Sequence, residues 1–193
     1  MNCDKVNFTS RIVFVPSRQA FDKIACGYNI PFGIVVKYNK KASKFYTKCV
    51  RTCTAGALIN TKTKEAIGFH IYDCLQNYKN IKKIIKSMID QINPDKCLLF
   101  GGKKYSGNDY SMPIFRKTAR ILRKNIKNMT VFKRHMYACS ETNMYYSLNE
   151  DTFYILSRYV NKKGNVQSVS SENDLREIFK KISVSPDDEL IFA

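Results

Sequence analysis

TKCVRTCTAGALINTKTKEAIGFHIYD, residues 47–73, decides how the chain is read. An apolar run at 55–59 is followed by a polar turn at 60–65 and a second apolar run at 66–72, rich in β-branched and aromatic residues. Two such runs joined by a short polar turn predict a β-hairpin. Pairing through that turn brings the far ends of the strands together. Cys53 stands just before the first run and His70 near the end of the second, so a thiol and an imidazole distant in sequence can meet across one ladder. A free thiol with a pKa of ~8.5 is mostly protonated at neutral pH, and a neighbouring histidine that takes its proton turns it into a nucleophile. The plainer reading stays open, because the chain has seven cysteines and an unpaired cysteine is commonly a small buried hydrophobe.

Outward from this stretch, composition sets the bounds. With 193 residues, 44% of them hydrophobic, the chain can bury a core, and a disordered tail is excluded. The expected organisation is a single domain over 1–193, its core at about 10–160 and a C-terminal helix and strand at 170–193. No apolar run approaches the ~18 residues of a membrane span. The opening MNCDKVNFTSR lacks the basic-then-apolar layout of a signal peptide. The expected location is the cytoplasm, or a host cell reached by secretion without a classical signal. Cys3, Cys26, Cys49, Cys53, Cys74, Cys97 and Cys139 are odd in number and scattered, which fits free thiols in a reducing compartment better than a disulfide framework. Cys49 and Cys53 form a CxxxC with no second pair, which argues against structural zinc.

The formal net charge is +17, and it is unevenly spread. Residues 171–193 hold six acids and three bases, leaving thirty bases against ten acids in the first 170, a local +20. Such a field favours acidic partners, whether nucleic acid, an anionic membrane surface or an acidic protein, unless the lysines serve solubility alone. Five lysines fall within residues 37–48, either as a solvated loop or as a basic lip beside Cys53.

Elsewhere, strands are expected at 11–15, 33–38, 96–100, 130–133, 144–148, 152–159 and 189–192. A short turn of helix follows Ser17. The clearest helix carries Ile81, Ile84, Ile85, Met88, Ile89 and Ile92 on one stripe and ends at Asn93-Pro94. A second begins near Pro113 and faces Phe115, Ala119, Leu122 and Ile126 inward, with Arg116, Lys117, Arg120, Arg123, Lys124 and Lys127 on its other faces. Residues 161–167 read as a polar linker. Ser170 or Ser171 caps a third helix through Ile182. The pattern is α+β: a mostly antiparallel β-sheet sandwich packed against two or three helices.

In this order of elements the chain resembles the chemoreceptor glutamine deamidases of the CheD family, whose fold and active site are shared with the cytotoxic necrotizing factor toxins. Thr47, Cys53 and His70 stand as that family's threonine, cysteine and histidine do. Leu98-Leu-Phe-Gly-Gly102 is similar to its apolar-Gly-Gly strand, and Met112-Pro-Ile114 to the entry of its next helix. The likeness covers roughly residues 10–160. The family's glycines before the cysteine are replaced by Cys49-Val-Arg-Thr52, and a later glycine pair by Tyr137-Ala-Cys-Ser140. Small residues there let backbone N–H groups approach an oxyanion.

The resemblance implies amide hydrolysis on a protein glutamine. Cys53 attacks the carboxamide, His70 acts as base and then acid, and water resolves a thioester to glutamate; an amine in place of water would make the site a transglutaminase. Thr47 orients the His70 ring. No metal or organic cofactor is needed. The partner is then a protein bearing a reactive glutamine, chemoreceptor-like or from a host cell. Cys49 is the alternative nucleophile, and His135, the other histidine, the alternative base. Two rival readings remain: a module binding nucleic acid or an anionic surface, without any motif to support it, and a catalytically inactive scaffold of the same fold.

Overall fold

The hairpin anticipated at 47–73 forms the middle of one of two packed sheets. The computed structural model describes residues 10–32, 37–39, 41–102, 110–133, 141–160, 163–178, 181–186 and 188–193. In chain order the first elements are β1 (Arg11–Phe14), α1 (Arg18–Ile24), β2 (Tyr28–Asn29), β3 (Lys37–Tyr38) and β4 (Lys44–Val50). Then come β5 (Thr54–Asn60), β6 (Glu65–Ile71), α2 (Leu75–Ile92), β7 (Lys96–Gly101) and α3 (Ser111–Asn125). The remainder is β8 (Asn128–Lys133), β9 (Glu141–Ser147), β10 (Thr152–Val160), β11 (Val166–Ser168), α4 (Glu172–Ile178), β12 (Lys181–Ser183) and β13 (Glu189–Phe192).

One sheet runs β13-β1-β10-β9-β4-β2, with β11 on β10, and the other runs β12-β8-β7-β5-β6-β3. The architecture is α+β, but the sheets are mixed: β1 pairs in parallel with β10 and β13, β2 with β4, and β7 with β8. The parallel pair β7 and β8 arises because α3 carries the chain back across the sheet between them, as a parallel connection requires. Alternation along β5 and β6 then sorts the layers. Ala55, Ala57, Ile59 and Ala66 face the other sheet, packed with Phe45, Tyr146 and Phe153. Leu58, Ile67, Phe69 and Ile71 face outward onto α2 and α3 through Ile81, Ile85, Met88, Phe115 and Leu122. On the far face of the first sheet, α1 buries Phe21 against Tyr145 and Leu156.

Local chemistry ends each element where it does. Ser17 caps α1, its hydroxyl accepting from Ala20 N–H at 3.1 Å. Asn93 closes α2 in the left-handed region at φ 46°, just before the proline that cannot continue a helix. Asn60 holds two elements at once. Its amide donates to the Ile92 and Asn93 carbonyls at 2.8 and 3.0 Å, and its Oδ1 accepts from Lys62 and Thr63 N–H in the hairpin turn. Asn60→Ala strips the buried end of α2 and the turn together, so it is expected to cost about 2–3 kcal/mol. Urea unfolding would check this, and a loss below about 0.5 kcal/mol with unchanged m-value would contradict it.

Four expectations need correction. The basic segment at 37–48 is not wholly a loop, because Lys44 onward is β4; Phe45 and Thr47 point into the core while Lys44 and Lys48 face outward. The third helix stops at Ile178, and Ile182 lies in β12, where its backbone pairs with Phe132 and completes the edge beside β8. The linker at 161–167 ends in a strand, β11, laid against β10. Helices number four among the described residues. Of the strand expected at 33–38, residues 33–36 lie outside the described residues, as do His135 and the Tyr137-Ala-Cys-Ser140 stretch. No helix of the described residues is long and apolar enough to cross a membrane.

Candidate functional site

The two sheets touch most closely where β4 crosses over β6. A Cβ on Gly68 would come within 2.3 Å of the Phe45 ring and 2.5 Å of Ile30, so the absent side chain is what lets β4 approach. Asn39, itself buried, holds this bend in place by accepting from Gly68 N–H at 2.6 Å. Two residues further along each strand and on the same faces stand Thr47 and His70. Their side chains hydrogen-bond at 2.7 Å between Thr47 Oγ1 and His70 Nδ1.

The proton inventory of that contact fixes the histidine tautomer. Thr47 has one hydroxyl proton, and it donates it to the Ile30 carbonyl at 2.9 Å. Its oxygen therefore accepts from Nδ1–H, and the free lone pair lies on Nε2. His70 is fully buried, and among the described residues its Nε2 has no hydrogen-bond partner. Burial disfavours the charged imidazolium and lowers the pKa from 6.5 to about 4. The residue is a neutral imidazole with an unused basic nitrogen. Phe32, 59% exposed, lies over it with ring centroids 6.1 Å apart.

Cys53 reaches the same inner face from the start of β5. His70 pairs with Ala55 across the hairpin, so the cysteine two residues earlier is its diagonal neighbour, at a typical spacing of roughly 7–8 Å. It is delivered there by a bulge in β4: the register with β9 shifts between Thr47 and Val50, and Cys49 takes φ 58°. That is the left-handed conformation a glycine adopts most easily. Cys49 occupies it instead, with its N–H donating to Asn143 Oδ1 at 2.7 Å. The bulge ends the alternation at Thr47, puts Val50 into the core and leaves Cys49 half-buried.

The thiol of Cys53 is 5% exposed. Burial first, and the Asp73 carboxylate second, push its pKa up to about 12. Opposing them, the Thr52 hydroxyl and the backbone N–H groups of Asp73 and of Cys53 itself favour the thiolate. Asp73 also accepts from Thr52 Oγ1 at 3.1 Å, and Ser111, at the start of α3, donates to the Thr52 carbonyl. The loop before Cys53 is thus tied to the N-terminal ends of both α2 and α3. Gly101 lets it pack there: a Cβ at this position, φ 126°, would lie 2.2 Å from the Cys53 carbonyl oxygen.

The structure therefore hydrogen-bonds Thr47 to His70, places Cys53 diagonally beside them and turns Cys49 away. Among the described residues no three His, Cys, Asp or Glu side chains gather in a way that would hold a metal ion. Sequence reasoning passed over Asp73, Thr52, Ser111 and the Ile30 carbonyl. Asp73 closes the opening stretch and was legible as a lone acid beside the hairpin end; a backbone carbonyl has no sequence signal. Neither a protein-family model nor a curated protein matches the chain.

Proposed function

We propose that this chain is a cysteine-dependent protein-glutamine deamidase of the CheD kind, with Cys53 as nucleophile, His70 as general base and acid, and Thr47 as the group that positions the base. The observation that carries the reading is the Thr47–His70 hydrogen bond, which leaves an unpartnered Nε2 on the face that holds a buried thiol. Ordinary packing would not call for an unsatisfied ring nitrogen there, since a buried polar atom without a partner costs free energy.

The acidities shape the mechanism. Thiol and imidazolium lie at about 12 and about 4, a gap that makes a preformed thiolate–imidazolium pair uphill by ~11 kcal/mol. Contact between the two charges recovers about 4 kcal/mol at an effective dielectric near 20. The resting site is therefore neutral, and the proton passes from Sγ to Nε2 as sulfur bonds to the amide carbon. The tetrahedral oxyanion is met by backbone N–H groups, those of Cys53 and Asp73 being the donors that lie against the sulfur. Collapse expels ammonia, which takes the proton from Nε2 and leaves a Cys53 thioester. Water, deprotonated by the same nitrogen, then releases glutamate and restores the thiol.

The test is conversion of glutamine to glutamate in peptide pools incubated with the protein, read by mass spectrometry together with ammonia release. No conversion above a Cys53→Ala blank would end the proposal. Thr47→Val keeps the shape of the side chain and removes the hydroxyl, leaving Nδ1–H without its acceptor. The loss of about 1–3 kcal/mol of base positioning should lower kcat about five- to hundredfold, and Thr47→Ser should restore most of it. Equal activity in Thr47→Val and wild type would remove Thr47 from the mechanism.

A further inference from the structure

We propose that the groove between α3 and the β8–β12 edge docks an acidic, extended segment of the protein whose glutamine is attacked, an inference that rests on the deamidase reading above. The groove has a volume of about 480 Å³ and a floor that includes Phe115, Ala119 and Val131. Arg116, Arg120, Arg123 and Lys124 of α3 and Lys133 of β8 line it, and no carboxylate does. Among the described residues none of these five cations is in an ion pair. Such an unbalanced row gains from a partner that supplies the anions.

Spacing favours a polypeptide in extended form. Arg116, Arg120 and Lys124 recur every four residues, a rise of about 6 Å per step along a helix. Alternate side chains on one face of an extended chain repeat every ~6.7 Å, so acids at every second position meet successive cations. The apolar floor argues for the same partner over nucleic acid, since a sugar-phosphate backbone offers little to cover it, whereas peptide side chains do. The groove also starts at the right end of the molecule. Lys133 pairs with Gly101, and Gly101 with Thr54, the residue after Cys53. Two strand spacings, roughly 10 Å, separate them, a gap that about three extended residues span. Phe115 packs over Gly102 and Ser111 holds the Thr52 carbonyl, which ties α3 to the nucleophile's loop.

The experiment uses the full chain and three fluorescent probes: a peptide of alternating Glu and Ser with a central Gln, the same peptide with Asn for every Glu, and a DNA duplex of similar length. Two triple variants carry the same charge change on exposed helix positions. Arg116→Glu, Arg120→Glu and Arg123→Glu alter the groove, while Lys79→Glu, Lys82→Glu and Lys83→Glu alter α2. The expected result is that the acidic peptide binds best, that the groove variant weakens it about tenfold or more through like-charge contact, and that the α2 variant changes it less than about twofold. In ammonia release the groove variant should raise KM more than it lowers kcat. Equal weakening in both variants, or groove-dependent binding of duplex above the acidic peptide, would overturn the proposal. Release of ammonia from acidic and neutral peptides with equal KM would overturn docking alone. Groove-dependent peptide binding, retained in Cys53→Ala, without ammonia from any probe would support docking and overturn the deamidase.

Discussion

Ammonia release by Cys53→Ala is expected to fall to the uncatalysed background, a loss on the order of 10⁴-fold or more, as when a covalent nucleophile is removed from a hydrolase. The fold should survive. Cys53 sits at the edge of the sandwich core, and exchanging its sulfur for nothing larger than a methyl costs about 1 kcal/mol of packing. Cys49→Ala is the matched control. An alanine at φ 58° is as strained as the cysteine it replaces, and its N–H still reaches Asn143, so turnover should stay within about twofold, the range of a small change away from the chemistry. Alkylation by iodoacetamide gives an independent reading, because only the thiolate reacts. With the thiol held up at about 12, labelling of Cys53 should be slow at neutral pH and climb steadily through the alkaline range. A plateau below pH 8 would show that the thiolate is already formed at rest and that proton transfer precedes attack. Full turnover in Cys53→Ala, or its loss in Cys49→Ala, would move the nucleophile or remove it.

Much of the core of this arrangement was readable from residues 47–73. The hairpin was legible because its two runs alternate small and large apolar residues around a turn whose Asn60 makes its own backbone contacts. The long helices were legible from the isoleucine stripe of α2 and the apolar face of α3. What sequence could not show was the second partner of each strand. Nothing in KFYTKCV says that its alternation is cut by a bulge, since the left-handed residue there is a cysteine and not the glycine that would announce it. The parallel pairings escaped for a related reason: β1 is four residues long and meets β10 and β13 from opposite ends of the chain. The short edge strand β12 was absorbed into the helix before it, because Leu175, Ile178, Phe179 and Ile182 keep helical spacing straight through the break. At the site, spacing could pair Cys53 with His70, yet the tautomer depends on the Ile30 carbonyl, and the neutrality of both groups depends on burial that only packing decides.

That neutrality yields the last expectation, which concerns His70→Gln. Its kcat should drop by about 10²–10⁴-fold, the usual contribution of a positioned base, while the glutamine amide can still donate to Thr47 and spare the fold. The pH dependence separates this role from a structural one. In the folded protein the imidazole is depressed from 6.5 to about 4, so the unfolded chain binds the proton first. Its contribution to stability is complete above pH 6.5 and is lost as pH falls towards 4, by ~3 kcal/mol in all. His70→Gln has no such group, and its stability curve should be flatter than wild type between pH 6.5 and 4. Wild-type activity should correspondingly hold level from pH 8 down to about 6, because the base is already neutral there, and fail only when acid unfolds the site or protonates Nε2 near its depressed pKa. An acid limb in kcat centred at 6.5, with parallel stability curves for wild type and His70→Gln, would mean an exposed base elsewhere. Because His135 is the other histidine of the chain, His135→Gln would then have to carry that limb, and the buried Thr47–His70 pair would be a packing device.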